Sequence, residues 1–166
     1  MWYHVQTHQS ISVEEATHFR QMVFNTLNDK RSWGIPFYEV ALDTLLQLPK
    51  QEAFIIRLTP KTVLNQKYKE FSEQQLSVAN MADRVIDINH CRWTEACPNQ
   101  SQLPLEQYQQ YVIQHEVGHM MGKAHPTPSQ LAQVTQQHAP IMMQQTLGIH
   151  DFHPNPWPTT LDKNVL

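Results

Sequence analysis

Residues 115–126 read HEVGHMMGKAHP. His115 and His119 are four apart, so on a helix they project from one face a turn apart, and both imidazoles can reach a single zinc ion at about 2 Å. Gly122 can take the left-handed backbone conformation that stops a helix, and a sharp turn there would bring His125 back to the same ion as third ligand. The fourth position then stays open for water. Glu116, beside the first ligand but not itself expected to bind, is placed to take a proton from that water. This is the division of labour of metal-assisted hydrolysis, in which zinc lowers the water's pKa to about 7 and polarises a carbonyl while the carboxylate moves the proton. A structural zinc would call for four protein ligands and no free carboxylate.

The chain holds ten histidines, so chance must be weighed. A bare H-E-x-x-H arises by composition in roughly one such chain in a few tens, and a glycine and third histidine at fixed offsets cut that about a thousandfold.

Upstream of this stretch, Pro104 suits the first turn of a helix, and Leu105, Tyr108, Val112, His115 and His119 follow at spacings of three and four. One helical face therefore passes from apolar residues into histidine. At the other end of the chain, WYHVQ (2–6) alternates as a first strand. Ser12 and Glu15 then form a capping box for a helix of about four turns with Ala16, Phe19, Val23, Phe24 and Leu27 on one face, ended by Asn28 and Asp29. GIPFYEVAL (34–42) and EAFIIRLTP (52–60) read as strands. KTVLNQKYKEFSEQQ (61–75) reads as polar and irregular, LSVANM (76–81) as a short edge strand, and RVIDINH (84–90) as a buried strand. Asn89–Gln102 reads as a loop, and the proline-rich tail HDFHPNPWPTTLDKNVL (150–166) as a surface wrap.

The 166 residues, 40% hydrophobic and 16% charged, fit one globular domain spanning 1–166. A mean hydropathy of −0.51 reflects many glutamines rather than charge. A net charge of −3 with scattered lysines and arginines offers no basic stripe for a phosphate backbone. No apolar run approaches the roughly 20 residues that span a bilayer. MWYHVQTHQS lacks the basic start and apolar stretch of a secretory signal, which leaves the compartment open. Cys91 and Cys97 are near enough to form a small-loop disulfide or to remain two thiols.

HEVGHMMGKAH matches H-E-x-x-H-x-x-G-x-x-H, and here the chain resembles the metzincin zinc peptidases. Metzincins carry a methionine in a tight turn beneath the metal, and APIMMQQTLG (139–148) offers Met142, or alternatively Met143. WGIPFYEVA, VIDINHCRW, QYVIQHEVGH, APIMMQQT and NPWP extend the likeness, within residues 33–158, to a family of uncharacterised metzincin-like proteins common in actinobacteria. Its members look exported, which would make the protein extracytoplasmic if the resemblance holds; they also carry more cysteines, and there this chain departs from their disulfide pattern. Pro126 is similar to the serralysin branch.

The resemblance implies an α+β zincin fold: a twisted, mostly parallel sheet with one antiparallel edge strand, an N-terminal helix, and an active-site helix bordering a cleft. An extended peptide would pair with the edge strand, for which LSVANM is the local match. The chain departs from the pattern in three ways. Gln144 or Gln145 stands two residues past the turn methionine, where some metzincins place a tyrosine; the segment after the turn is short; and no cysteine-bearing latency segment is expected ahead of the domain, since residues 1–90 hold no cysteine.

The expected protein is thus a monomeric zinc endopeptidase with one catalytic ion. His115, His119 and His125 are its ligands, Glu116 its general base and then acid, and Met142 lies under the site. Its partner is a protein or peptide substrate, with no nucleic acid and no membrane, and the substrate-binding residues are not assigned. Two alternatives stand beside this reading: a catalytically silent, zinc-stabilised peptide-binding module, and a zinc amidase acting on a non-peptide amide. His150 and His153 lack an obvious third ligand for a second metal. His4, His8, His18, His90 and His138 read as surface or hydrogen-bonded residues, and Trp33, Trp93, Trp157, Met120 and Met121 as packing residues.

Overall fold

The computed structural model of the protein describes residues 1–69, 77–95, 102–135, 137–145, 148–149 and 151–164. Two runs rich in branched side chains form the middle of its sheet, β3 (Ala53–Thr59) and β5 (Val85–Asn89), paired in parallel with Ile56 opposite Ile86 and Arg57 opposite Asp87. β1 (Trp2–Thr7) runs parallel to β3 on its other side, and the two-residue β2 (Tyr38–Glu39) runs parallel to β1. β4 (Val78–Asn80) is antiparallel to β5 and completes the order β2-β1-β3-β5-β4. The protein is therefore a mixed α/β structure with a mostly parallel five-stranded sheet and one antiparallel edge pair.

Side chains alternate across a strand, and the two faces of this sheet differ sharply. Phe54, Ile56, Leu58, Ile86 and Ile88 face a core shared with two helices, α1 (Val13–Leu27) and α5 (Leu105–Met120). α1 begins where the Ser12 hydroxyl accepts the Glu15 N–H, and it buries Phe19, Met22, Val23 and Leu27. Trp93 meets Phe19 edge-on with centroids 4.9 Å apart, a geometry worth about 0.5–1.5 kcal/mol beyond area burial. The opposite face carries Asp87, whose buried carboxylate takes bonds from Arg57, Thr59, Lys67 and Tyr68. The last two lie on or just after α3 (Lys61–Lys67).

The short helices α2 (Leu42–Leu45), α4 (His90–Glu95), α6 (Pro128–Leu131) and α7 (Thr160–Asn164) lie outside this frame. Several sequence expectations are corrected. The polar run from Lys61 begins with helix α3 rather than an irregular segment, because Leu64 is buried and Lys67 reaches Asp87. The region after Asn89 starts with helix α4 rather than a loop, with Asn89 Oδ1 accepting the Cys91 N–H. GIPFYEVAL contributes only two strand residues. Phe24 and Leu105 are exposed, Pro104 caps α5 rather than entering it, and the tail ends in α7. Cys97 and any bridge to Cys91 lie outside the described residues, as do His150 and Leu76, the first residue of the edge-strand segment.

Candidate metal centre

α5 is buried on almost every side from Tyr108 to Met120. Polar residues survive there because each has a partner. Gln114 donates to Thr26 O and Ser32 Oγ, and Trp33 Nε1 donates to Gln114 O. The helix stops at Gly122, which has φ +84° as its position in the histidine stretch predicted. Arg84 secures that end by donating to Met120 O at 2.7 Å and to Ala53 O at 3.2 Å. Its own φ of +57° costs about 1–2 kcal/mol, which these charge-assisted bonds offset.

The turn brings the three histidines together. His125 Nε2 stands 3.2 Å from His115 Nε2 and 3.1 Å from His119 Nε2, and all three ligand atoms fall within 4.8 Å of one another. Nitrogens bound tetrahedrally at about 2 Å from one ion stand roughly 3.3 Å apart, so the spacing fits a shared cation. The far side of each ring supports this. His115 Nδ1 donates to Ile141 O at 2.8 Å and His119 Nδ1 donates to Lys123 O at 2.9 Å. A carbonyl can only accept, so both Nδ1 atoms carry the proton and both Nε2 atoms present lone pairs towards His125. A common cation can be bound by both of these lone pairs.

Electrostatics point the same way. Burial, then repulsion from His119 and His125, pushes His115 down to about 3 despite its bond to Ile141. Burial, then His119, pushes His125 down to about 4, and burial lowers His119 as well. All three are neutral at physiological pH, the state a metal requires. Burial raises Glu116 to about 8, partly countered by the backbone N–H of Ala79 on β4.

Met142 is buried and packs against Gly118 with Trp33. A Cβ at position 118 would clash with the Met142 sulfur and lie 2.7 Å from the Trp33 ring, so the helix tolerates only glycine there without repacking. Met143 is also buried, and its carbonyl accepts a bond from the Tyr111 hydroxyl. Gln145 is held by Pro140 O and Asn155, whereas Gln144 lines the cleft.

That cleft, of about 360 Å3, runs between β4 and α5. Ser77, Val78, Ala79 and Met81 form one wall, Tyr108, Tyr111 and Val112 the other, with Glu116 and the three histidines along its floor. Sequence reasoning had missed Tyr111, although it lies one turn before His115, and it had missed the Ala79 amide, which only the tertiary fold brings to Glu116. Among the other histidines, His4 bonds Val40 O and His90 bonds Glu15, while His138 and His153 are exposed with rings 6.2 Å apart.

Residues 1–159 match the profile of a family described as "Protein of unknown function (DUF3152)". The chain belongs to that family. No curated protein and no solved structure matches it. Membership covers the sheet, α1, α5 and all three histidines. Among the described residues no helix is long and apolar enough to cross a membrane.

Proposed function

We propose that this chain is a zinc endopeptidase of the metzincin type, cutting peptide bonds with His115, His119 and His125 as ligands and Glu116 as proton carrier. The observation that carries the reading is the convergence of three neutral imidazoles on one point beside a buried, unligated carboxyl group. Among the described residues only these three ligands converge, which leaves a fourth position open, as in a catalytic rather than a structural zinc site. When bound there, zinc would supply Lewis acidity and make water acidic enough to attack at neutral pH.

The chain's own groups account for the remaining steps. Glu116 has a raised proton affinity, so it is suited to accept a proton from the attacking water and to pass it to the departing amine. The outer side of β4 is unpaired in the described sheet, and an extended peptide can add to it as a further strand, main chain to main chain. The apolar walls of the cleft then receive a substrate side chain. Met142 supports the ligand base from below, and an extracytoplasmic setting accords with the sequence resemblance.

The test is mass-spectrometric analysis of a diverse peptide library incubated with zinc-loaded protein, with Glu116→Ala as control. Internal cuts that vanish in the variant are expected and would give the specificity directly. A zinc-bound protein that leaves every peptide intact would favour the peptide-binding module or a non-peptide amide instead.

A further inference from the structure

Asp162 is only 4% exposed, and the mechanism above makes no use of it. It sits on α7, and its carboxylate gathers four donors. One oxygen accepts from Ile141 N at 2.8 Å, Thr159 N at 2.7 Å and Thr159 Oγ1 at 2.7 Å; the other accepts from Met142 N at 2.9 Å. Burying a carboxylate is costly unless its lone pairs are satisfied, and here they are taken by two consecutive amides of the methionine turn and by the start of its own helix. Ile141 is bonded on both sides. Its N–H goes to Asp162, and its carbonyl accepts the His115 Nδ1 proton.

We infer that Asp162 is a positioning residue for the metal centre: it fixes the Ile141–Met142 backbone so that the Ile141 carbonyl aims His115 at the shared cation and Met142 stays beneath it. This rests on reading the three histidines as a metal site. The same residue borders a hollow with His125 and Met142, so the C-terminal segment abuts the third ligand's loop as well. A neutral acceptor could satisfy one amide. A carboxylate satisfies both with two oxygens at fixed spacing, and its bonds are charge-assisted. Partners that orient a metal ligand in this way typically govern metal affinity by 10–100-fold.

The experiment compares zinc dissociation constants, by chelator competition, and the visible absorption of the cobalt-substituted protein for wild type, Asp162→Asn and Asp87→Asn. Asp87 is an equally buried carboxylate on the other face of the sheet, so its variant controls for lost stability alone. Asp162→Asn is expected to weaken zinc by about 10–100-fold and to shift the cobalt bands, while Asp87→Asn holds zinc within about twofold of wild type. Wild-type zinc affinity and cobalt spectrum in Asp162→Asn would overturn the inference, as would an equal loss in Asp87→Asn. A wild type that binds no zinc would instead remove the metal-site reading beneath it. Should Asp162→Asn fail to fold, Asp162→Glu keeps the charge on a longer arm; bound zinc with a shifted cobalt spectrum is then expected, and an unchanged spectrum would overturn the inference.

Discussion

Gly118 occupies a place in the histidine stretch that the ligand pattern leaves free, yet any Cβ there would run into the Met142 sulfur and the Trp33 ring. Gly118→Ala should therefore cost about 1–3 kcal/mol by overpacking, and it should weaken zinc because Met142 must move. Thermal melts and a zinc titration would check both effects, and unchanged melting and affinity would argue against the close fit. Glu116, beside the ligand His115 in sequence, separates binding from turnover. Glu116→Ala should retain zinc and lose hydrolysis by at least about two orders of magnitude, in line with a positioned proton carrier. Metal analysis and peptide assay on one preparation decide it, and an active variant would refute the role given to Glu116.

At the scale of elements, Asp87 ties α3 to β3 and β5 through Arg57, Lys67 and Tyr68. Burial alone would raise its carboxyl, but the bonds from Arg57, Lys67 and Tyr68 outweigh burial and hold it below the ordinary value. A depressed folded-state pKa contributes stability that is present above the unfolded value, about 3.9, and is lost as pH falls through the folded value. Asp87→Asn should therefore remove about 1–3 kcal/mol at neutral pH, the lower part of the range reflecting partly exposed cations. The difference from wild type should shrink in acid below about pH 4. Urea melts at neutral and acidic pH test this, and a constant difference would contradict it. The elements also show what a sequence can tell. β5 and α1 were legible because branched residues and a capped amphipathic run state their own periods. α3 and α4 were not, since α3 is polar with Leu64 alone buried and its hold on the sheet is the long-range bond to Asp87. For α4 the Asn89 cap was present as a signal but was masked by the cysteine-containing stretch around it. The histidine site was readable because its ligands fall within eleven residues, whereas Asp162 reaches Ile141 from a distance in sequence that no local pattern encodes.

For the whole molecule, a metal that binds the folded chain and not the unfolded one adds stability by mass action. At free zinc about a thousand times the dissociation constant the gain is about 4 kcal/mol, or roughly 8–16 °C in Tm for a chain of this size. Chelation should reverse it, and a melt indifferent to zinc would mean that the ion does not belong to the native state. The sheet, α5 and the C-terminal segment each hold part of the site, so all three should report the loss together. The most direct measurement is the metal content of purified wild type, Glu116→Ala and His119→Ala by elemental mass spectrometry. One zinc per chain in the first two and none in the third is the result the three converging imidazoles predict; a zinc-free wild type, or zinc retained in full by His119→Ala, would contradict it.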